Sequence, residues 1–265
     1  MEKKITTIPV LALGKSATRV AQNLNAQLGE QLDLYTMTEP LDDVPQILFP
    51  HEQPYRFLIY NRAEVATDVV KKFGTATKIG GRVLGLEIAA CHEVVRSSWQ
   101  MGTDVLIRSD SEDVCQKVAA PLLRMALPQK DFLGIDIADV FSLFHGTDCA
   151  RVSMAASTGE RASVTAIAEA MRHLGWPPSS LRGILLRITG SEDHITMTET
   201  EKLMDVITDK IAEDGNMMWG ASIDPALGDT VQVTVIATRG WRQESKDACD
   251  WLSQLVEVTF HDNDE

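Results

Sequence analysis

Arg182-Gly183-Ile184-Leu185-Leu186-Arg187-Ile188-Thr189 is apolar at most positions and reads as a buried central strand. Upstream of it, Pro177-Pro178 forms a loop and Gly175 stops a helix predicted over Glu160 to His173. That helix carries Val164, Ile167, Ala168, Met171 and Leu174 at 3.6-residue spacing. Before it, Ala150 to Ala156 alternates as a half-buried strand. Downstream, Thr198-x-x-Glu201 has the form of a capping box, followed by Leu203, Ile207 and Ile211 on one helix face. Two further strands, Met217 to Ile223 and Thr230 to Thr238, flank the short loop Asp224 to Asp229, so they could pair as a hairpin. The set is an α+β lobe that begins near Leu133 to Phe144.

The first half has another rhythm. Strands are expected at Thr7–Leu13, Leu32–Tyr35, Arg56–Tyr60, Arg82–Ala89 and Asp104–Arg108. Helices are expected at Ala17–Leu28 before Gly29, Ala63–Phe73 before Gly74, Glu93–Met101, and Ser111–Leu127 before Pro128, with Ser111 as cap. The stretch from Glu39 to Pro54 holds four prolines and is not helical. Strands alternating with helices imply βαβ units and a mainly parallel sheet, so this half is α/β and Rossmann-like. The expected domains are residues 1–133, ending in a central helix, and 134–265.

Composition narrows function. A net charge of −13 disfavours nucleic-acid backbones and anionic bilayers. Mean hydropathy is near zero, and no uncharged apolar run nears the ~18 residues of a membrane span. With no apolar signal core before the first strand, the expected location is the cytoplasm. Cys91, Cys115, Cys149 and Cys249 are scattered, as reduced thiols are, and no His or Cys spacing suggests a metal.

From about Asp131 to Arg239 the chain resembles the second half of the FtsZ/tubulin filament core. Leu133-Gly134-Ile135-Asp136-Ile137-Ala138-Asp139-Val140 is similar to that family's synergy loop, with Gly134 where the family has asparagine. Ser157-Thr158-Gly159-Glu160-Arg161-Ala162, the Arg182–Thr189 strand, and Ala221-Ser222-Ile223-Asp224-Pro225 with Val231 to Thr238 follow in matching order. The resemblance implies a Rossmann-like parallel-sheet lobe, a central helix and an FtsZ/tubulin-type α+β lobe. It also implies that Asp136 and Asp139 are acids aimed at a neighbouring subunit's nucleotide, where they would help polarise a water. From the residues alone, Asp136 equally reads as the cap of a helix starting near Ile137, with Asp139 at its positive end.

The family's nucleotide loops depart here. Its glycine-rich signature lets backbone N–H groups converge on phosphates. In this chain Phe57-Leu58-Ile59-Tyr60 runs into Asn61-Arg62-Ala63-Glu64-Val65-Ala66-Thr67, which has no glycine, and Glu64 and Asp68 oppose a triphosphate. What remains is Gly14-Lys15-Ser16-Ala17-Thr18. A Walker A loop would need glycine at position 9, which is Pro9, so the plain expectation is a strand-to-helix turn capped by Ser16. A residual anion or nucleotide site on Gly14, Lys15 and Ser16 is the alternative. The sequence ends soon after Trp251-Leu252, so the family's linker and terminal peptide for membrane adaptors are not expected.

The expectation is a degenerate GTPase: a non-hydrolysing FtsZ-like scaffold, modulator or end-capper of a filament, meeting its partner through the Gly134–Val140 face. No cofactor, no nucleic acid and no direct membrane insertion are expected. Two other readings stand: a divergent GTPase holding GTP or GDP at Gly14–Thr18, and an interaction module of an unrelated complex.

Overall fold

The computed structural model describes residues 7–38, 54–78, 81–90, 97–126, 135–144, 147, 149–191, 195, 204–205 and 207–239. They fall into two compact units, one within 1–129 and 136–150, the other within 130–135 and 151–265.

The first unit is built on five parallel strands in the order β2-β1-β3-β4-β5. These are β1 (Ile8–Leu13), β2 (Leu32–Met37), β3 (Tyr55–Asn61), β4 (Arg82–Ile88) and β5 (Val105–Ser109). Both faces of a parallel sheet are covered, which is why β1 and the interior of β3 are buried at successive positions and not at alternate ones. Helices α1 (Lys15–Gln27) and α3 (Glu112–Ala126) pack on each other. Helix α2 (Thr67–Thr77) buries Val70 and Phe73 against Leu11, Leu13, Leu58 and Tyr60. Helix α4 (Ile137–Phe144) stacks Phe141 on Tyr55 at 5.3 Å, with the Arg82 guanidinium 6.0 Å from the same ring.

The strand order reverses at β1: β2 lies on one side of it and β3, β4 and β5 on the other. At such a switch point the loops after β1 and β3 diverge and leave a crevice beyond the strands' carboxyl ends, where open α/β sheets hold ligands.

The second unit orders β6 (Ala150–Thr158), β9 (Thr230–Arg239), β7 (Leu181–Gly190) and β8 (Asn216–Ile223) side by side. Helix α5 (Ala162–Leu174) covers one face and ends at Gly175, whose φ of 66° is the left-handed C-cap that glycine favours. A helical bond joins the Asp209 N–H to the Asp205 carbonyl, and the Thr208 hydroxyl donates to the Met204 carbonyl; the Thr198–Glu201 capping box and Leu203 lie outside the described residues.

Three expectations are corrected. The last two strands do not form a hairpin: β9 inserts antiparallel between β6 and β7, and β8 pairs parallel to β7 at the edge. Burial explains the choice. Val231, Val233, Val235 and Ala237 are fully buried and need neighbours on both sides, whereas Met217, Met218 and Trp219 are half-buried and suit an edge. Gly74 does not end α2 but lies inside it, because the helix presses on the turn after Trp99–Met101. A Cβ at Gly74 would meet the Met101 carbonyl oxygen at 2.5 Å and the Gly102 carbonyl carbon at 3.0 Å. Where a helix was expected over Glu93 to Met101, the described part is a single 3-10 turn, Trp99–Met101. Ser111 does cap α3, its hydroxyl accepting from the Val114 N–H at 3.3 Å.

Gly74→Ala therefore tests the close approach of α2. Alanine favours helix over glycine by about 1 kcal/mol, yet overpacking should make the variant less stable by about 1–3 kcal/mol in urea unfolding. A stabilised variant would contradict this packing.

Candidate functional site

The site is built where β1 gives way to α1. Gly14 is the N-cap of α1, with φ of 90° and no side chain to offer the exposed N–H groups. The first turn of any helix leaves such donors without intrahelical partners. They find one in Glu64, which approaches from the turn after β3. The Glu64 carboxylate accepts from the Ser16 N–H at 3.0 Å and from the Ser16 hydroxyl, and from the Lys15 N–H as well. Gly14 is required there, since a Cβ on it would lie 2.6 Å from Glu64 Oε2. Ser16 is thus not the N-cap expected from sequence; it is a donor inside the first turn, and the cap comes from 48 residues away.

The turn that carries Glu64 is itself tied down. Asn61 accepts from the Ala63 N–H through its side chain at 2.9 Å, and its carbonyl accepts from the N–H groups of Glu64 and Val65. Arg62 donates its N–H to the Ile88 carbonyl at 3.0 Å and places its guanidinium 3.5 Å from Glu87. Glu87 is fully buried on β4, also 3.5 Å from Arg108 Nε, and accepts from the Tyr60 hydroxyl at 3.2 Å. Burial, aided by the Glu87 charge, pushes the Tyr60 phenol well above its ordinary pKa, so it stays a donor.

Partial burial pushes the Glu64 pKa up, but the hydrogen bonds from Ser16 and Lys15 and the charge of Arg19 outweigh it. The carboxyl is held below the ordinary glutamate value. Glu64 remains exposed as a residue, so its carboxylate covers the helix end from the solvent side.

Asp136 and Asp139 stand elsewhere. They cap α4 reciprocally: the Asp139 N–H donates to Asp136 Oδ1 and the Asp136 N–H to Asp139 Oδ2, both at 3.0 Å. Phe141 of that helix stacks on the first residue of β3, whereas Glu64 follows its last. The structure therefore brings Gly14, Lys15 and Ser16 to Glu64, and places Asp136 and Asp139 at the start of α4, whose Phe141 packs on the end of β3 away from Glu64. Among the described residues no cluster of His, Cys, Asp and Glu could hold a metal, and no helix is long and apolar enough to cross a membrane.

Residues 149–240 match the family model described as FtsZ family, C-terminal domain. In sequence this part of the chain is similar to the FtsZ family. It is 33% identical over 107 residues to the cell division protein FtsZ of Methanothermobacter thermautotrophicus, and 28% over 108 residues to FtsZ 1 of Archaeoglobus fulgidus. Those matches take in 39% and 40% of this chain but only 28% and 29% of the relatives. The FtsZ-like fold extends further than the sequence match. An empty FtsZ dimer from M. jannaschii aligns over 91% of this chain and 94% of its own, with a TM-score of 0.63 at 16% identity. A GTPγS-bound CetZ2 protofilament subunit from Haloferax volcanii aligns over 95% and 98%, with a TM-score of 0.58 at 11% identity.

Glu64→Gln should weaken the cap of α1 by about 1 kcal/mol at neutral pH, the ordinary worth of a charged helix cap. Because the folded pKa is depressed, the wild-type advantage is complete above the unfolded glutamate pKa of about 4.3 and fades as pH falls through the folded value. Urea midpoints at pH 7 and pH 3 check this: the gap should narrow at the lower pH. An equal gap at both would contradict a carboxylate cap.

Proposed function

We propose that this FtsZ-like protein does not hydrolyse nucleotide and acts as a scaffold or modulator of a cytoskeletal filament, seated at one filament end. The observation that carries this is Glu64, whose carboxylate takes the α1 donors that a phosphate would need. An internal anion is present at high effective concentration, and it adds negative charge where a triphosphate would have to sit. The turn after β3 supports the same conclusion, since Asn61 to Thr67 has no glycine to let backbone N–H groups converge.

The polarity of the first unit suits an end-capper. Head-to-tail assembly needs two unlike faces on each subunit; the seat beside Glu64 follows the end of β3, whereas α4, capped by Asp136 and Asp139, packs through Phe141 on the strand's start. Asp136 and Asp139 would meet the neighbouring subunit from the face around Ile135 to Val140. Each spends one carboxylate oxygen on the cap, and among the described residues the other carries no hydrogen bond. The protein would work in the cytoplasm, where a filament of this family would be its partner.

Melting in the presence of GTP or GDP tests the first half. A ligand at a hundredfold its Kd adds about 2.7 kcal/mol, which is a shift of several degrees. No shift at millimolar nucleotide is expected; a clear rise would favour nucleotide seated on Gly14, Lys15 and Ser16 after Glu64 leaves. The second half is tested on filaments of an FtsZ. Substoichiometric protein should shorten them, and Asp136→Ala with Asp139→Ala should weaken that effect. Unchanged filament length and GTP turnover would overturn the modulator role.

A further inference from the structure

We propose that Glu87 is the positioning residue for Glu64, latching the turn after β3 through Arg62 so that the Glu64 carboxylate stays on the first turn of α1. The inference rests on Glu64 occupying that helix end, and it explains a group the seat itself does not use. Arg62 sits in a surface turn, where an arginine ordinarily extends into water. Here it turns inward: its side chain is 10% exposed and reaches a glutamate that is fully buried. Burying a carboxylate costs several kcal/mol even when it is paired, and an apolar side chain would fill the same volume. Glu87 is therefore poorly accounted for as packing and well accounted for as an anchor.

The anchor acts on Glu64 through a short lever. Arg62 is two residues before Glu64, and its N–H is fixed to Ile88, the residue after Glu87. Asn61 ties the far end of the turn back to its start, its carbonyl accepting from the Glu64 and Val65 N–H groups. With both ends held, Glu64 is presented to Ser16 in one orientation. Arg108, itself anchored by donation to the Ala90 carbonyl at 2.8 Å, holds Glu87 from the opposite side. Tyr60, on β3 two residues before Arg62, also donates to Glu87. Removing the negative charge at Glu87 loosens the grip on Arg62 while preserving shape, and the Glu64 contact should then open more often.

Hydrogen exchange of the Lys15 and Ser16 amides reads this directly. Both lie in the first turn of α1, so their protection comes from Glu64 and not from the helix ladder. Glu64→Ala should speed their exchange by about tenfold or more. Glu87→Gln should speed the same two amides about tenfold while leaving Leu11, in the centre of β1, unchanged. Combined with Glu64→Ala it should add nothing, the signature of two residues acting through one contact. Arg62→Gln, which removes the other half of the latch, should match Glu87→Gln and serves if the latter does not fold. Unchanged exchange at Lys15 and Ser16 in both latch variants, or an equal rise at Leu11, overturns the latch while the Glu64 seat stands. If Glu64→Ala itself leaves both amides unchanged, the seat falls, and the latch with it.

Discussion

A helix that begins at the switch point of a parallel sheet presents unsatisfied N–H groups and a partial positive charge to the crevice. Those donors must be met by water, by a ligand or by the chain itself. In this protein the chain meets them, with the carboxylate of Glu64. The consequences spread outward from that contact. Gly14 is held to glycine by the carboxylate's approach. Asn61 and Arg62 are committed to shaping the turn that delivers it. Glu87 on β4, Arg108 on β5 and the Tyr60 phenol on β3 are buried beside that turn, and Arg62 reaches in to Glu87. The lobe carries its own anion at the crevice beyond the carboxyl end of β1, where open α/β sheets hold ligands.

Much of the fold was legible because burial writes itself into hydrophobic runs. Ile8–Leu13 and Phe57–Tyr60 had to be strands covered on both faces, and the Gly175 stop of α5 follows from the left-handed φ that glycine tolerates. The order of the last strands was not legible. A six-residue loop permits a hairpin, and only the difference in burial between Val231–Val235 and Met217–Trp219 sends β9 to the other side of β7. Gly74 misled for a similar reason: a glycine can end a helix or let another backbone come close, and the choice depends on a turn 27 residues later.

The candidate site was half legible. The turn after β3 was legible as free of glycine, and Glu64 was visible as a charge opposed to phosphate. That the same charge would turn onto α1 could not be read, because it depends on a contact across 48 residues. Glu87 and Arg108 gave still less signal, since charged residues within apolar strands resemble ordinary solvent-facing positions until both faces of the sheet are known to be covered. Asp136 and Asp139 were found by resemblance, and their reciprocal cap is what their i, i+3 spacing allows.

The central claim is that Glu64 holds the place of a phosphate on α1. A crystal structure of the protein grown with saturating GTP tests it most directly. The account predicts the Glu64 carboxylate on Ser16, as in the free protein, and no nucleotide in the crevice above Gly14. A phosphate bound to the Lys15 and Ser16 amides, with Glu64 swung away, would contradict it.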